Sequence, residues 1–341
     1  MFPGSGPFSR PGSLFAIPLR CANDSAFVRE FSMADIVVVG SLNMDLVVKA
    51  PRMPLGGETL AGRDFQMIPG GKGANQAAAA ARLGARVAMV GRVGGDAFGP
   101  PLIENLRRQG VDTGHVRIDE EAATGTAMII VDDSGQNSIV VASGANGRVN
   151  EEDVDRLEGA LSQARVLLLQ FEVPLETVEY AIQMASRHQV RVILNPAPAR
   201  PAPPGLIEKV DYLVPNEFEA GTLTGLETKD VPSAERAARK LLRSGVPVVI
   251  ITLGERGALM ATDQGMIHVP AREVQAVDTT AAGDAFIGGL AVALVKGFPL
   301  EGAVRYGSCA GTLAVTKFGA QTSLPSAEEV QAFYEGKDPD L

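Results

Sequence analysis

The stretch VDTTAAGDAF, residues 277–286, places a carboxylate beside backbone that carries only small side chains. Asp284 follows Ala281, Ala282 and Gly283, and an apolar run typical of a helix comes next. Free N–H groups and the helix dipole favour an acid at this place, so helix capping is one interpretation. A capping box, however, needs Ser or Thr three residues before the acid, where this chain has alanine. The alternative is an anion hole with Asp284 as a base that accepts a hydroxyl proton during phosphoryl transfer.

A second stretch, PGGKGANQA at 69–77, surrounds Lys72 with three glycines directly before a helix pattern. Glycine allows positive φ and close backbone approach, and a helix N-terminus presents unpaired N–H groups, so oxygen-rich ligands suit this place. It is not a Walker A loop, because Gln66 and Gly73 stand where that motif has glycine and Ser or Thr. An ordinary strand–turn–helix connection is the alternative.

A third stretch, GSLNMDL at 40–46, alternates Asn43 and Asp45 with apolar residues. The alternation puts the amide and the carboxylate on one face of a strand. Such a pair can donate to and accept from vicinal hydroxyls, as a sugar presents them. A solvated strand edge is the alternative.

Further polar residues follow other strand patterns: Glu172, Asn195, Asn216 and Glu219. Ligands of open parallel sheets lie beyond the carboxyl ends of the strands, so these side chains are candidates for one site. Amide and carboxylate oxygens also suit Mg²⁺. The glycine pair of ITLGERGA, 251–258, would let backbone approach a nucleotide or simply form a β-turn.

The elements that would position these residues alternate between strand and helix. Strand patterns occur at 35–40, 87–91, 166–170, 190–195, 212–216 and 246–254. Helix patterns occur at 73–84, 101–110, 175–188, 217–225 and 234–245, and after Asp284 and Leu300. This alternation predicts an α/β fold, with a parallel sheet covered by helices on both faces.

Two segments break this alternation, 46–68 and 124–142. Both contain short strand patterns joined by turn residues, and the second has Ser-Gly between two strands of a hairpin. We expect a small antiparallel sheet attached to the main domain, covering a site, a partner or both. Exposed strand edges also favour pairing with a second copy.

The composition limits the function classes. The chain has 341 residues, 45% of them hydrophobic and 21% charged, and a formal net charge of −9. These values predict a soluble cytoplasmic protein and argue against nucleic-acid binding, which needs a basic surface. The two cysteines are far apart and the three histidines lack metal-ligand spacing, so we expect a reducing compartment and no zinc site. No apolar run reaches the roughly 20 residues of a membrane span.

Residues 1–33 differ from the rest, being rich in Pro, Gly and Ser. We predict a disordered N-terminal extension at 1–33, followed by one domain at 34–341. An upstream start codon, with Met33 as the natural start, is an alternative. A transit peptide is another, because no acid precedes Asp24.

These motifs, with NPAPA at 195–199, PNEFEA at 215–220 and GAQTS at 319–323, occur in one order from Ala34 onward. In that order they resemble the PfkB carbohydrate kinases, most closely the members that phosphorylate ribose. The resemblance implies a Rossmann-like three-layer α/β/α domain with a mainly parallel central sheet and a small β-sheet lid. It implies ATP-dependent phosphorylation of D-ribose at O5, with Mg²⁺ and a monovalent cation, K⁺, and a homodimer through the lid. A kinase for 2-deoxyribose, another sugar or a nucleoside remains open, as does a catalytically inactive sugar sensor.

The resemblance also implies roles for individual residues. Asp284 would be the base, with the anion hole at Ala281, Ala282 and Gly283. The sugar would contact Asn43, Met44, Asp45, Gly71, Lys72, Gly73, Ala74, Asn75, Glu172 and Asp284. ATP would contact Asn195, Thr252, Leu253, Gly254, Glu255, Arg256, Gly257, Gly283, Asp284 and Ser308. Mg²⁺ would depend on Asn216 and Glu219, and K⁺ on Asp278, Thr280, Ala314, Lys317, Gly319 and Ser323, several through backbone carbonyls. The chain departs from the common family pattern at Ala281, where glycine is usual, and at Ser308, where a larger polar residue is expected.

Overall fold

The computed structural model describes Met1 and residues 34–337. The predicted N-terminal extension, apart from Met1, therefore lies outside the described residues. So do residues 338–341.

Within residues 34–337 the strands form two sheets. The strands are β1 Ile36–Val39, β2 Asn43–Lys49, β3 Arg63–Gly70, β4 Val87–Gly94, β5 Val111–Asp119, β6 Gly125–Val131, β7 Asn137–Ala142, β8 Val166–Gln170, β9 Arg191–Asn195, β10 Tyr212–Leu213, β11 Val248–Thr252, β12 Ala258–Thr262 and β13 Gly265–Val269. The larger sheet has the order β13-β12-β11-β10-β9-β8-β1-β4-β5. It is parallel from β11 to β5, which confirms the predicted sheet type.

Two features at the edges of this sheet were not predicted. Strand β5 lies at one edge of the sheet and carries several polar residues. Its sequence therefore lacks the continuous apolar run that is typical of a central strand. At the other edge β12 pairs antiparallel with both β11 and β13. Only Asp263 and Gln264 connect β12 to β13, and a connection this short permits an antiparallel pair alone.

Helices cover both faces of the larger sheet, as predicted. They are α1 Lys72–Arg82, α2 Gly99–Arg108, α3 Glu151–Asp155, α4 Glu158–Leu161, α5 Leu175–Arg187, α6 Glu217–Thr224, α7 Val231–Arg243, α8 Ala282–Val295, α9 Leu300–Ala314 and α10 Ala327–Tyr334. The side chains of β1 alternate between the two faces of the sheet. Ile36 and Val38 pack on one face with α1, α8 and α9, and Val37 and Val39 pack on the other with α5 and α7. No helix in the described part of the chain has both the length and the apolar character needed to cross a membrane.

The smaller sheet has the order β3-β2-β6-β7. Its outer pairs are antiparallel hairpins, but the central pair, β2 and β6, is parallel, so the expectation of a purely antiparallel sheet was wrong. The reason is that β2 and β6 both start at the larger sheet, where Asn43 pairs with Gly125, and run outward together. The sequence pattern shows each hairpin but not how the two hairpins join.

Candidate active site

Asp284 lies in the first turn of α8 and is 5% exposed. Its Oδ2 accepts a hydrogen bond from Asn75 Nδ2 (2.9 Å), and its Oδ1 accepts one from Gln76 Nε2 (3.0 Å). The N-cap residue, Ala281, has no polar side chain, and α8 has no side-chain cap hydrogen bond. The carboxylate therefore binds side chains of α1 and does not cap its own helix.

Close packing of two small-residue helices brings these side chains together. Helix α1 is KGANQAAAAAR, and eight consecutive residues of it, from Gly73 to Ala80, are buried. A Cβ at Gly288 of α8 would lie 2.6 Å from Ala79 Cβ, so only glycine permits this approach. Because α1 and α8 lie side by side, the two polar residues in the apolar surface of α1 face the acid of α8.

Asp284 belongs to a cluster of four carboxylates around one lysine. Burial raises the pKa of Asp284, and Lys72 together with the two amide donors opposes this effect. Burial and the charges of Glu172 and Asp284 raise the pKa of Asp45 to about 7. Burial tends to lower the pKa of Lys72, but Asp284, Glu172, Glu219 and Asp45 outweigh it and raise that pKa, so the lysine stays charged.

The glycine-rich turn before α1 is fixed by Glu172 and Ser41. The Ser41 hydroxyl and the backbone N–H of Lys72 (2.9 Å) both donate to Glu172 Oε2, and the N–H of Gly73 donates to Ser41 Oγ (3.3 Å). A Cβ at Gly73 would lie 2.6 Å from the Ser41 nitrogen, so the turn packs directly on the loop between β1 and β2. This explains the glycine by packing, and the same contacts place Lys72 beside the strand that carries Asn43. Two other predicted sugar contacts, Met44 and Ala74, are buried.

Asn43 and Asp45 are both buried, so the solvated-edge interpretation was wrong. Asn146 donates from Nδ2 to Asn43 Oδ1 (2.7 Å) and exchanges two hydrogen bonds with the backbone of Leu42 (2.9 and 3.1 Å). A Cβ at Gly70 of the neighbouring strand would lie 2.3 Å from Asp45 Oδ2. The smaller sheet thus holds an amide and a carboxylate against the cluster around Asp284.

A cavity of about 690 Å³ opens at the N-terminus of α8. Of the predicted ATP contacts, six line it: Thr252, Gly254, Glu255, Gly257, Gly283 and Ser308. Gly283 is exposed, and no atom of residues 34–337 lies within 4 Å of the position its Cβ would take. The N–H of Ala282 donates to Thr279 O at 3.3 Å, a long hydrogen bond. The start of α8 is therefore open to an anionic ligand, and the cavity has the volume of a small-molecule site.

Four predicted ATP contacts do not line this cavity, and one of them is the buried Asp284. Leu253 is in the core, and Arg256 forms an ion pair with Glu217 of α6. Asn195 is buried, where its Oδ1 accepts a hydrogen bond from Gln76 Nε2 (3.3 Å). In the described chain these residues lie behind the residues that line the cavity and contact other parts of the protein.

Asn216 and Glu219 form a capping box at the start of α6. Asn216 Oδ1 accepts from the Glu219 N–H (2.8 Å), and Glu219 Oε2 accepts from the Asn216 N–H (2.8 Å). Burial raises the pKa of Glu219. Within residues 34–337 no group of three or more His, Cys, Asp or Glu side chains is arranged to hold a metal ion. Helix capping explains the pair, and a role toward Mg²⁺ remains a proposal.

The residues predicted for K⁺ lie in two segments that Asp278 connects. Its Oδ1 accepts from the N–H (3.0 Å) and hydroxyl (2.5 Å) of Thr280, and its Oδ2 accepts from the N–H of Gly319 (2.9 Å). Of the other predicted ligands, Ala314 is the last residue of α9. Lys317 forms an ion pair with Glu329, and the Ser323 hydroxyl donates a hydrogen bond to Ala320 O. The structure therefore joins both segments, and their side chains are already hydrogen-bonded within the protein.

Sequence reasoning missed several residues of the site: Ser41, Gln76, Asn146, Gln170 and Gln321. Gln321 Nε2 donates to Asn75 Oδ1 (3.1 Å), which continues the hydrogen-bonded chain from Asp284. A glutamine in an alanine helix and a glutamine in GAQTS are visible signals. Ser41 is visible too, inside GSLNMDL, whereas Asn146 and Gln170 reach the site from distant parts of the chain.

A three-layer α/β domain, a smaller sheet and a buried carboxylate beside an open helix N-terminus define the class of small-molecule kinases. The chain belongs to the pfkB family of carbohydrate kinases, whose sequence profile matches residues 33–327.

Individual relatives make this family relationship more specific. The chain is 43% identical to a ribokinase of Haemophilus influenzae over 300 residues, which cover 88% of this chain and 98% of that protein. It is 41% identical to a deoxyribokinase of Salmonella typhi over 300 residues, with the same shares of each chain. The structure of Arabidopsis thaliana ribokinase complexed with ribose and ATP superposes with a TM-score of 0.82 at 34% identity, covering 89% of this chain and 99% of that one.

Proposed function

We propose that this protein is an ATP-dependent kinase that phosphorylates D-ribose at O5 and forms D-ribose 5-phosphate. Its likeness to a ribokinase over most of both chains supports ribose as the substrate. The observation that carries the proposal is the place of Asp284 in the fold. This carboxylate is the residue after Gly283, which faces the cavity, and it lies in the buried cluster with Asp45 and Lys72.

Asp284 serves as the base in this reaction. Each of its oxygens accepts one amide hydrogen bond and retains a lone pair for a further proton. The O5 hydroxyl gives its proton to Asp284 while O5 forms a bond to the γ-phosphorus of ATP. The bond from that phosphorus to the β–γ bridging oxygen breaks, and ADP leaves. N–H groups at the start of α8 stabilise the charge on the transferred phosphoryl group.

The buried polar cluster binds and orients the sugar. Asn43 and Asp45 provide an amide and a carboxylate for its hydroxyls, and the charge of Lys72 opposes the rise in the pKa of Asp45 and of Asp284. The smaller sheet covers the bound sugar and excludes water, so that the γ-phosphoryl group is not lost to hydrolysis.

Two metal ions belong to this proposal as cofactors. Mg²⁺ neutralises phosphate charge when bound with ATP, and Asn216 and Glu219 are the residues proposed to tune its binding. K⁺ is proposed for the two segments joined by Asp278, where backbone carbonyls would hold it. Both assignments rest on the family resemblance.

A homodimer through the smaller sheets and a cytoplasmic location complete the proposal. Met67, Leu46, Met128 and Val140 pair in register across the four strands and form one apolar row. Side chains alternate along β2, so this row lies on the face opposite Asp45. Met67, Met128 and Val140 are more than half exposed, which a second copy would correct.

A coupled ADP-release assay across a sugar panel tests the proposed activity. We expect kcat/KM to be highest for D-ribose among ribose, 2-deoxyribose, other sugars and nucleosides, with ³¹P NMR placing the phosphate at O5. A higher value for 2-deoxyribose would favour the second candidate, which the deoxyribokinase likeness supports. Thermal stabilisation by ribose without ADP release would instead indicate a sugar sensor and contradict the proposal.

A further inference from the structure

Three buried amide side chains form a hydrogen-bonded chain behind Asp284. Gln170, the last residue of β8, donates from Nε2 to Gln76 Oε1 (2.6 Å). Gln76 Nε2 donates to Asp284 Oδ1 (3.0 Å) and Asn195 Oδ1 (3.3 Å). Asn195 Nδ2 in turn donates to Val214 O (3.0 Å). The chain links the ends of two adjacent strands to the carboxylate of α8.

The direction of this chain is fixed at every step. Because Gln170 donates to the oxygen of Gln76, the NH₂ group of Gln76 must face Asp284 and Asn195. The oxygen of Asn195 is then an acceptor, and its NH₂ group faces Val214 O and Glu219 Oε2 (3.4 Å). Reversing any one amide would set two donors or two acceptors against each other.

Gln170 bears a cost in this arrangement. It is fully buried, and within residues 34–337 its Oε1 has no hydrogen-bond partner. A Cβ at Gly40 would lie 2.1 Å from this oxygen, so a glycine is needed beside it. A buried unpaired acceptor destabilises a fold, and an apolar side chain at position 170 would avoid that cost. Stability alone therefore does not explain the glutamine.

We propose that Gln76 and Gln170 are positioning residues for Asp284. Gln170 orients the Gln76 amide, and Gln76 holds Asp284 Oδ1 while Asn75 holds Oδ2. The carboxylate then keeps one rotamer, with its free lone pairs directed to the sugar hydroxyl. This inference rests on the proposed function and adds to it the residues that orient the base.

The charges facing Asp284 determine how the loss of Gln76 appears in a pH profile. Four charged groups interact electrostatically with this carboxylate: Lys72 of α1, Glu172 after β8, Asp45 of β2 and Glu219 of α6. The Gln76 hydrogen bond favours the charged form. Removing it raises the pKa of Asp284 further, so the acidic limb of the pH–rate profile moves to higher pH.

The test compares Gln76→Leu and Gln170→Leu with the wild-type protein and with Gln163→Leu, which changes an exposed glutamine. For Gln76→Leu we expect kcat to fall about 100-fold, as a misplaced catalytic group does, with KM for ribose within about threefold. The acidic limb should move to higher pH. Gln170→Leu should lower kcat about tenfold and move the acidic limb in the same direction by a smaller amount. Gln163→Leu should change neither. An unmoved limb, or a loss confined to KM, would overturn the inference.

A second readout separates this inference from the proposed function. ¹³C NMR of labelled aspartate carboxyls follows the titration of Asp284 without turnover, and the signal is assigned by its loss in Asp284→Asn. If the wild-type protein phosphorylates no sugar, the proposed function fails, but the titration still tests the positioning. An equal pKa for Asp284 in wild type and Gln76→Leu contradicts it. If Gln76→Leu does not fold, Gln170→Leu, which leaves Gln76 in place, carries the same comparison.

Discussion

At the scale of single residues, the surroundings of Asp284 show how one position can satisfy a helix and still serve a reaction. The helix dipole of α8 favours an acid in the first turn. The carboxylate takes its hydrogen bonds from α1, however, and leaves the start of α8 to face the cavity. The dipole of α8 can therefore stabilise both the Asp284 carboxylate and a phosphoryl group at the start of the helix.

The nearby Asp45 gives a prediction about pH and stability. Its pKa is about 7 in the folded protein against 3.8 for the ordinary side chain, because it is buried beside other carboxylates. The folded state therefore holds an extra proton between these pH values, and Asp45 destabilises the fold increasingly as pH rises through that window. We expect Asp45→Asn to be more stable than wild type at pH 8 by roughly 1–4 kcal/mol, and no more stable near pH 4, measured by urea unfolding.

The control for this prediction is Asp263→Asn, which neutralises an exposed aspartate. It should leave the difference between pH 4 and pH 8 as in wild type. Equal stability of Asp45→Asn and wild type at pH 8 would show that the folded protein does not raise the pKa of Asp45.

At the scale of elements, the site depends on two helix N-termini that both carry an acid in the first turn but differ in the N-cap residue and in use. Helix α8 starts without a side-chain cap and faces a cavity, whereas α6 starts with a closed capping box. The first arrangement leaves N–H groups for a ligand, and the second satisfies them within the protein.

Gly283→Ala tests the open terminus of α8. Its new Cβ meets no atom of the described chain within 4 Å, so the helix should be as stable or more stable by up to about 1 kcal/mol. The methyl group enters the cavity, and we expect KM for ATP to rise about tenfold, by crowding the phosphate. Gly302→Ala is the matched control, a helical glycine of α9 that does not line the cavity, and its KM should be unchanged. A normal KM for ATP in Gly283→Ala would place the nucleotide elsewhere.

Asn216→Ala separates helix capping from a role toward Mg²⁺. Loss of the cap should cost about 1 kcal/mol of unfolding free energy. Ser326→Ala removes the equivalent cap of α10 and should cost the same. If Asn216 and Glu219 tune Mg²⁺, only Asn216→Ala should raise the Mg²⁺ concentration needed for half-maximal rate. The same Mg²⁺ dependence in both variants would leave Asn216 with a capping role alone.

At the scale of the whole molecule, the sequence predicts the parts that repeat locally and misses those made by distant contacts. Apolar runs and helix periodicity predict the parallel sheet and its two helix layers. The parallel pairing of β2 with β6 joins residues 43 and 125, and no local period carries that information. Likewise Lys72 and Asp45 stand in visible motifs, whereas Gln170 reaches Gln76 across 94 positions. Polar partners of this kind are recognised only when the fold brings them together.

The apolar row of the smaller sheet gives a prediction about assembly. Charges there should prevent a second copy from covering the sheet, so Met128→Lys and Val140→Lys should convert a dimer into a monomer. Multi-angle light scattering should give twice the 35.7 kDa chain mass for wild type and that mass for both variants. Ile267→Lys, an exposed apolar residue of β13, is the control and should stay dimeric. A monomeric wild-type protein would contradict this part of the proposal.

The turnover of Asp284→Asn with ribose and ATP tests the central claim most directly. The amide keeps the size of the side chain but accepts no proton, so kcat should fall by about 10³-fold or more while ribose still binds with nearly wild-type affinity. Ribose affinity is measured by calorimetry and turnover by ADP release on the same preparation. Near-normal turnover in Asp284→Asn would contradict the assignment of the base, and with it the account of how this site transfers a phosphoryl group.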